Sequence, residues 1–186
     1  HRYLEWSGYT VRFVTNLTDV DDRTIARAGR EGVTVAEVTR PFGEAFLADA
    51  RALGVLPADA YPRATEYVGP MIALVERLLA SGHAYRADDG AVYFSIARFP
   101  GYGKLKGIDP SSLRVGARVA QDEYEKEDAR DFALWKVADE ADERAAAAWD
   151  SPWGRGRPGW HLECSAMSIG ELGETLDIHL GGEDLV

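Results

Sequence analysis

A single residue in this chain carries a thiol. Cys164 lies in the run Gly156-Arg157-Pro158-Gly159-Trp160-His161-Leu162-Glu163-Cys164-Ser165-Ala166-Met167. Pro158 and Gly159 interrupt whatever precedes them, and Leu162 to Leu172 then has Leu162, Ala166, Ile169 and Leu172 near helical spacing. Cys164 is therefore expected in the first turn of a helix, where free backbone N–H groups and the positive dipole end favour thiolate, the form that binds metal. Trp160 and His161, just upstream, are placed to wall and polarise the same spot. The plainer reading of a lone cysteine is a small buried hydrophobe.

Two further stretches have residue types suited to a small ligand. Thr15-Asn16-Leu17-Thr18-Asp19-Val20-Asp21-Asp22 follows a β-branched and aromatic run, Tyr9 to Val14, that reads as a strand. Asn16 and Thr18 offer an amide and a hydroxyl at its carboxyl end, where open α/β sheets bind ligands, and Asp19 is expected to cap the next helix. The alternative is a capping loop with surface acids. A calcium loop is excluded, because the glycine and distal glutamate it needs are missing. Thr175 to Leu180 reads as a second such strand, tipped by Gly181-Gly182-Glu183-Asp184. Two glycines there let the backbone lie flat against a planar ligand.

The remaining elements must position these three stretches. His1 to Ser7 reads as the end of a helix stopped by Gly8, and helix, glycine, strand is half of a βαβ unit. Thr34-Val35-Ala36-Glu37 is a capping box opening an amphipathic helix to about Leu53, which Pro41 and Gly43 should bend. A more apolar helix runs from about Thr65 or Pro70 to Ala80 and closes at Ser81-Gly82. Ala84 to Arg86 and Ala91 to Ile96 flank a turn containing Gly90, a hairpin signal. Phe99 to Glu127, with scattered glycines, two prolines and a charge run, reads as an insertion. Phe132-Ala133-Leu134-Trp135-Lys136 suits a strand returning to the core, and Ala138 to Ala148 a short helix or a surface loop. The expected fold is α/β with a parallel sheet, divided into 1–83, a connecting insertion at 84–130 with a small hairpin, and 131–186.

The 186 residues suffice for one sizeable core, and 46% hydrophobic with 28% charged residues is ordinary for a globular domain. No apolar run is long enough to cross a bilayer, and one cysteine makes no internal disulfide, so a cytoplasmic protein is expected. A net charge of −10 argues against broad, nonspecific binding to a phosphate backbone but leaves room for a local basic groove. The first residue is His and the last, Val186, follows an apolar run, so the ends read as those of a piece of a longer protein.

Asn16-Leu17-Thr18-Asp19-Val20-Asp21-Asp22, the Tyr102-Gly103-Lys104-Leu105 turn, Phe132 to Lys136, Ser151-Pro152-Trp153-Gly154, the run around Cys164, and Asp177-Ile178-His179-Leu180-Gly181-Gly182-Glu183-Asp184-Leu185 occur in that order. Together they resemble an internal fragment of the catalytic domain of the cysteinyl-tRNA synthetases, over nearly the whole chain. The resemblance implies a class I synthetase with a Rossmann-type parallel sheet split by a connecting insertion. It implies ATP-dependent formation of cysteinyl-adenylate, with magnesium accompanying ATP, and transfer of cysteine to its tRNA by a monomer. It also implies that Cys164 is one of four ligands of a zinc ion that takes the substrate thiol. A soft thiolate binds zinc far better than a hydroxyl does, so such a metal separates cysteine from serine. In the same frame Trp160 walls the cysteine pocket with His161 beside it, Asn16 and Thr18 line its polar side, His179 acts near the adenylate, and Gly181, Gly182 and Asp184 meet the adenosine.

The family's phosphate-binding His-Ile-Gly-His signature, its other three zinc ligands, its lysine-rich loop and its anticodon-binding helices are not in these 186 residues. The chain by itself is accordingly expected to be inactive. Two other readings remain at this point: the ligase that joins cysteine to an amino-sugar inositol in mycothiol synthesis, and a non-catalytic fragment or paralogue acting as a binding module.

Overall fold

A computed structural model of the chain describes residues 1–104 and 130–182. In chain order the elements are α1 (Arg2–Trp6), α2 (Asp22–Glu31), α3 (Val35–Ala52), α4 (Val68–Ala80), β1 (Ala84–Arg86), β2 (Val92–Phe94), β3 (Phe132–Val137), α5 (Glu140–Arg144), β4 (Gly156–Pro158) and α6 (Trp160–Leu172). Short 3-10 turns lie at Ala64–Glu66 and Ile96–Arg98.

The helices begin where side chains can satisfy the free N–H groups of a first turn. Thr34 and Glu37 form the expected capping box of α3. The amide of Val35 goes instead to the carbonyl of Ala145, at 2.8 Å, joining α3 to the end of α5. The cap of α2 is Asp21 rather than the expected Asp19: its carboxylate accepts from Thr24 N at 2.6 Å, while Thr24 Oγ1 accepts from Asp21 N. Asp19 is buried and turned toward Thr65, whose amide and hydroxyl donate to it at 3.0 and 2.7 Å. Gly32 ends α2 in the left-handed region, φ +67°, where a side chain would be strained.

The four strands form one antiparallel sheet in the order β1-β2-β3-β4. Gly90, at φ +97°, turns the β1–β2 hairpin. The hairpin thus shares a sheet with β3, across the stretch 105–129. Where the chain leaves and re-enters the described residues, the two sides are clasped. Phe94 stacks on Phe132 at 5.0 Å, Tyr102 lies 6.3 Å from both rings, and buried Asp131 accepts from Tyr85 Oη at 3.0 Å and from Ile96 N at 2.9 Å.

Neither expected ligand-bearing strand is regular. The parallel pairing expected after Tyr9 is present at two isolated bridges, Val14 with Ala60 and Leu17 with Arg63. The partner segment contains Pro62, which has no N–H to donate, and Asp59 uses its side chain as well as its backbone on Phe13, so the ladder stays short. Thr175 to Leu180 has no strand partner among the described residues, and Leu176, Ile178 and Leu180 are exposed. Regular parallel structure needs neighbours on both sides, which the described residues do not supply there. Of the insertion expected at 84–130, residues 105–129 lie outside the described residues, as does Asp184.

The core lies between the sheet and α2, α4 and α6, with Trp135, Tyr93, Met71, Met167, Val75 and Val92 among its fully buried side chains. Two glycines let β4 and the start of α6 lie against β3. A Cβ at Gly156 would strike the carbonyl of Lys136 and the Trp135 indole, and one at Gly159 would strike the carbonyl of Ala133. Gly159 N meanwhile donates to Leu134 O at 2.8 Å.

Gly159→Ala should therefore push α6 off the sheet and cost about 3 kcal/mol or more, read as a lowered urea midpoint. Gly29→Ala, inside α2 with no heavy atom within 4 Å of the added Cβ, should instead stabilise by about 0.5–1 kcal/mol.

Candidate functional site

Helix α6 starts at Trp160, two residues earlier than the apolar spacing indicates, with Gly159 as an N-cap lacking any side-chain cap. Cys164 is thus its fifth residue and sits in the second turn, not the first. The thiol is half-buried, and its pKa is raised, first by burial and then by the negative charge of Glu163. The expected thiolate is not favoured here, because the dipole effect fades beyond the first turn while desolvation of sulfur remains.

Trp160 is 47% exposed and His161 is also on the surface. Their rings are 5.6 Å apart, and His161 meets Phe132 edge-on at 5.0 Å, so the start of α6 presents a short aromatic series from the sheet outward. On the neighbouring loop Asn16 and Thr18 are exposed, and Asn16 Nδ2 donates to Thr18 Oγ1 at 3.3 Å. His179, Gly181 and Gly182 lie exposed in the irregular segment beyond α6, and His179 makes no hydrogen bond, ion pair or ring contact among the described residues.

Glu163, beside Cys164 on α6, lies within electrostatic reach of Asp19 and Asp21 at the end of the loop. This residue is 2% exposed, and its Oε2 has no hydrogen-bond partner among the described residues. Burial pushes its carboxyl up to about 8, the charges of Asp19 and Asp21 add to the effect, and Arg157 offsets only part of it. Arg157 itself bridges two elements: it bonds Asp22 of α2, and its Nε lies 2.9 Å from Asp142 Oδ1 of α5 in an ion pair whose N–H is not aimed at that oxygen. Lys136 reaches Asp22 at 3.6 Å. Burial raises the carboxyl of Asp22, but the two cations outweigh it and the result is lowered. For Asp142 burial wins and the carboxyl is raised.

The far end of α6 is tied to the loop as well. Arg12 donates to the Glu171 carboxylate at 2.9 Å and to its backbone carbonyl at 3.0 Å, while Tyr67 Oη donates to the other carboxylate oxygen. Gly170 makes room for the Tyr67 ring, which a Cβ would approach to 2.9 Å. Among the described residues no group of three His, Cys, Asp or Glu side chains gathers as a metal cage, so Cys164 is a single soft donor. No described helix is long and apolar enough to cross a membrane.

A family model for the catalytic domain of class I tRNA synthetases (C) matches residues 1–186. The chain belongs to this family. Among curated relatives, the cysteine–tRNA ligase of Alkalilimnicola ehrlichii is 54% identical over 99% of the chain, that of Halorhodospira halophila 53% over 99%, and that of Chlamydia pneumoniae 49% over 98%. The chain spans 39%, 39% and 38% of those proteins' own lengths, so it corresponds to a fragment of them.

In this class I synthetase chain the residues that sequence reasoning passed over are the charged ones around the start of α6: Glu163, Arg157, Asp142 and Asp22. A signal existed for the first. Glu163 follows Leu162 on a helix whose apolar face it shares, three residues before Ala166, and a glutamate at such a position must be buried or break the pattern. Arg157 gave no such signal, because its acids come from elements far apart in sequence.

A carboxyl raised from an ordinary 4.5 to about 8 holds its proton in the fold after the unfolded chain has lost it. The stability this contributes is present in full below about pH 4.5 and is lost as pH rises through about 8. Glu163→Gln should therefore match the parent in acid and exceed it at pH values above the folded pKa, by on the order of 5 kcal/mol in urea unfolding.

Proposed function

We propose that a polypeptide containing this chain, at the length of its relatives, activates cysteine with ATP and transfers it to a cysteine-accepting tRNA. The observation that carries this reading is the identity of 49–54%, over 98–99% of the chain, to proteins named cysteine–tRNA ligase. In the first step a carboxylate oxygen of cysteine attacks the α-phosphorus of magnesium-bound ATP, and pyrophosphate leaves. In the second, a ribose hydroxyl of the tRNA attacks the cysteinyl carbonyl, and AMP leaves. We assign this chemistry to the cytoplasm, where ATP and tRNA meet.

The roles follow from the exposed groups. Trp160 offers an open indole face for one wall of the amino-acid pocket, with His161 braced behind it on Phe132. Asn16 and Thr18 offer an amide oxygen and a hydroxyl to the substrate ammonium group. His179, Gly181 and Gly182 are free to meet an adenylate, and Asp184, outside the described residues, is assigned to its ribose. Cys164 is assigned as one ligand of a zinc ion, which when bound supplies a soft Lewis acid for a thiol. The described residues do not fit a closed zinc site by themselves, since a tetrahedral site needs three more donors than Cys164 provides.

Cysteine-dependent exchange of pyrophosphate into ATP tests the reading. A protein of the relatives' length should exchange with cysteine and not with serine, and Cys164→Ser should lower the rate about 100-fold or more. Exchange without cysteine preference would overturn it. The 186-residue chain alone should give no exchange and no tight zinc binding; exchange by the chain alone would remove the need for the missing parts.

A further inference from the structure

A recess of about 400 Å³ opens between α2 and α3 beside Thr18, and its chemistry is the reverse of the chain's overall charge. Three guanidinium groups, Arg23, Arg27 and Arg63, line it against one carboxylate, Asp19, whose oxygens are already occupied by Thr65. Arg27 is paired with Glu31 at 2.7 Å and lies over the ring of Phe42 at 4.8 Å. Arg23 and Arg63 have no hydrogen bond or ion pair among the described residues. In a chain of net charge −10, two unpaired arginines facing one hollow are a local basic groove.

Arg63 is also held in place before any ligand arrives. The residues flanking it are pinned to the loop, Leu17 N donating to Pro62 O at 2.8 Å and Ala64 N to Leu17 O at 3.3 Å. Its guanidinium crosses α3 at Gly43, where an added Cβ would come within 3.2 Å of it. A glycine inside a helix costs about 1 kcal/mol in helix propensity, and here that position is the one the arginine overlies. Phe42 and Phe46, one helical turn apart on the rim, are 55% and 47% exposed.

Cations at fixed positions next to exposed aromatic rings are the means by which proteins hold unpaired nucleotides: phosphates go to the arginines and bases stack on the rings. We propose that this recess binds a single-stranded RNA segment, with Arg23 and Arg63 on its phosphates and Phe42 and Phe46 beneath its bases. The assignment rests on the tRNA-charging reading only for the identity of the RNA. Because the recess borders Thr18, a strand held there would be led toward the loop assigned to the amino acid.

The test is fluorescence anisotropy of the 186-residue chain with a short labelled single-stranded RNA, at about 50 and about 200 mM salt. The parent should bind. Arg23→Gln with Arg63→Gln should weaken binding at least tenfold at the lower salt and reduce the salt slope by about 1.4, the value for two phosphate contacts on a single strand. Phe46→Ala should weaken binding about tenfold without changing the slope. Arg51→Ala, outside the recess, should bind as the parent does. Should Arg63→Gln fail to fold by circular dichroism, Arg23→Gln alone, exposed on α2, carries the charge test. The proposal is overturned if the parent does not bind, if the arginine variants bind like the parent, if a duplex of the same sequence binds as tightly, or if inorganic phosphate displaces the RNA at equal concentration. Pyrophosphate exchange with cysteine needs no RNA, so failure of the activation reading and failure of this one are read separately.

Discussion

The placement of Cys164 depends on a single, largely covered guanidinium. Arg157 comes from the short edge strand β4 and is held between Asp22 of α2 and Asp142 of α5. Its side chain is 14% exposed and that of Asp142 is 5% exposed, so neither charge is well served by water. Breaking such a pair leaves an uncompensated buried charge, a loss of about 3–5 kcal/mol, even though the intact pair adds little net stability. Its effect is therefore on geometry. Two residues after Arg157 the chain passes Gly159 and becomes α6, so the contact that fixes β4 against two helices also fixes where the thiol stands.

Glu163 shows the opposite arrangement a few residues on. Its charge is buried without a full set of partners, and the nearest charges besides Arg157 have the same sign. A structural position would ordinarily carry an apolar residue there, since a carboxyl in such surroundings is held mostly in its neutral form. The uncompensated acid lies on the helix carrying Cys164 and feels the charges of Asp19 and Asp21, which follow Asn16 and Thr18 on the loop. Polar groups kept at an energetic disadvantage tend to gather at working sites.

What could be read from the sequence was local. The Thr34 capping box, the hairpin turning at Gly90, the strand from Phe132 and the helix carrying Cys164 each depend on side chains a few residues apart, and each is present. The misplaced cap and the shortened strand both involve partners distant in sequence. Asp19 and Asp21 are both credible caps from their positions, and the choice falls to Thr65, which draws Asp19 inward. Tyr9 to Val14 has the composition of a strand, but the segment it pairs with contains Pro62, and the ladder is reduced to single bridges. The thiol's protonation was misjudged because Trp160 and His161 extend the helix upstream, moving Cys164 past the reach of the terminal N–H groups. At the candidate site Asn16, Thr18, Trp160 and His161 are exposed, as contact with a ligand would require, whereas the salt links of Arg157 to Asp22 and Asp142 left no local signal in the sequence.

The clasp formed by Phe94, Tyr102 and Phe132, with Asp131 bonded to Tyr85 and Ile96, joins the two points between which residues 105–129 run. The register of the sheet is therefore set by contacts of Tyr85, Phe94 and Ile96 with Asp131 and Phe132, and not by whatever joins Lys104 to Arg130.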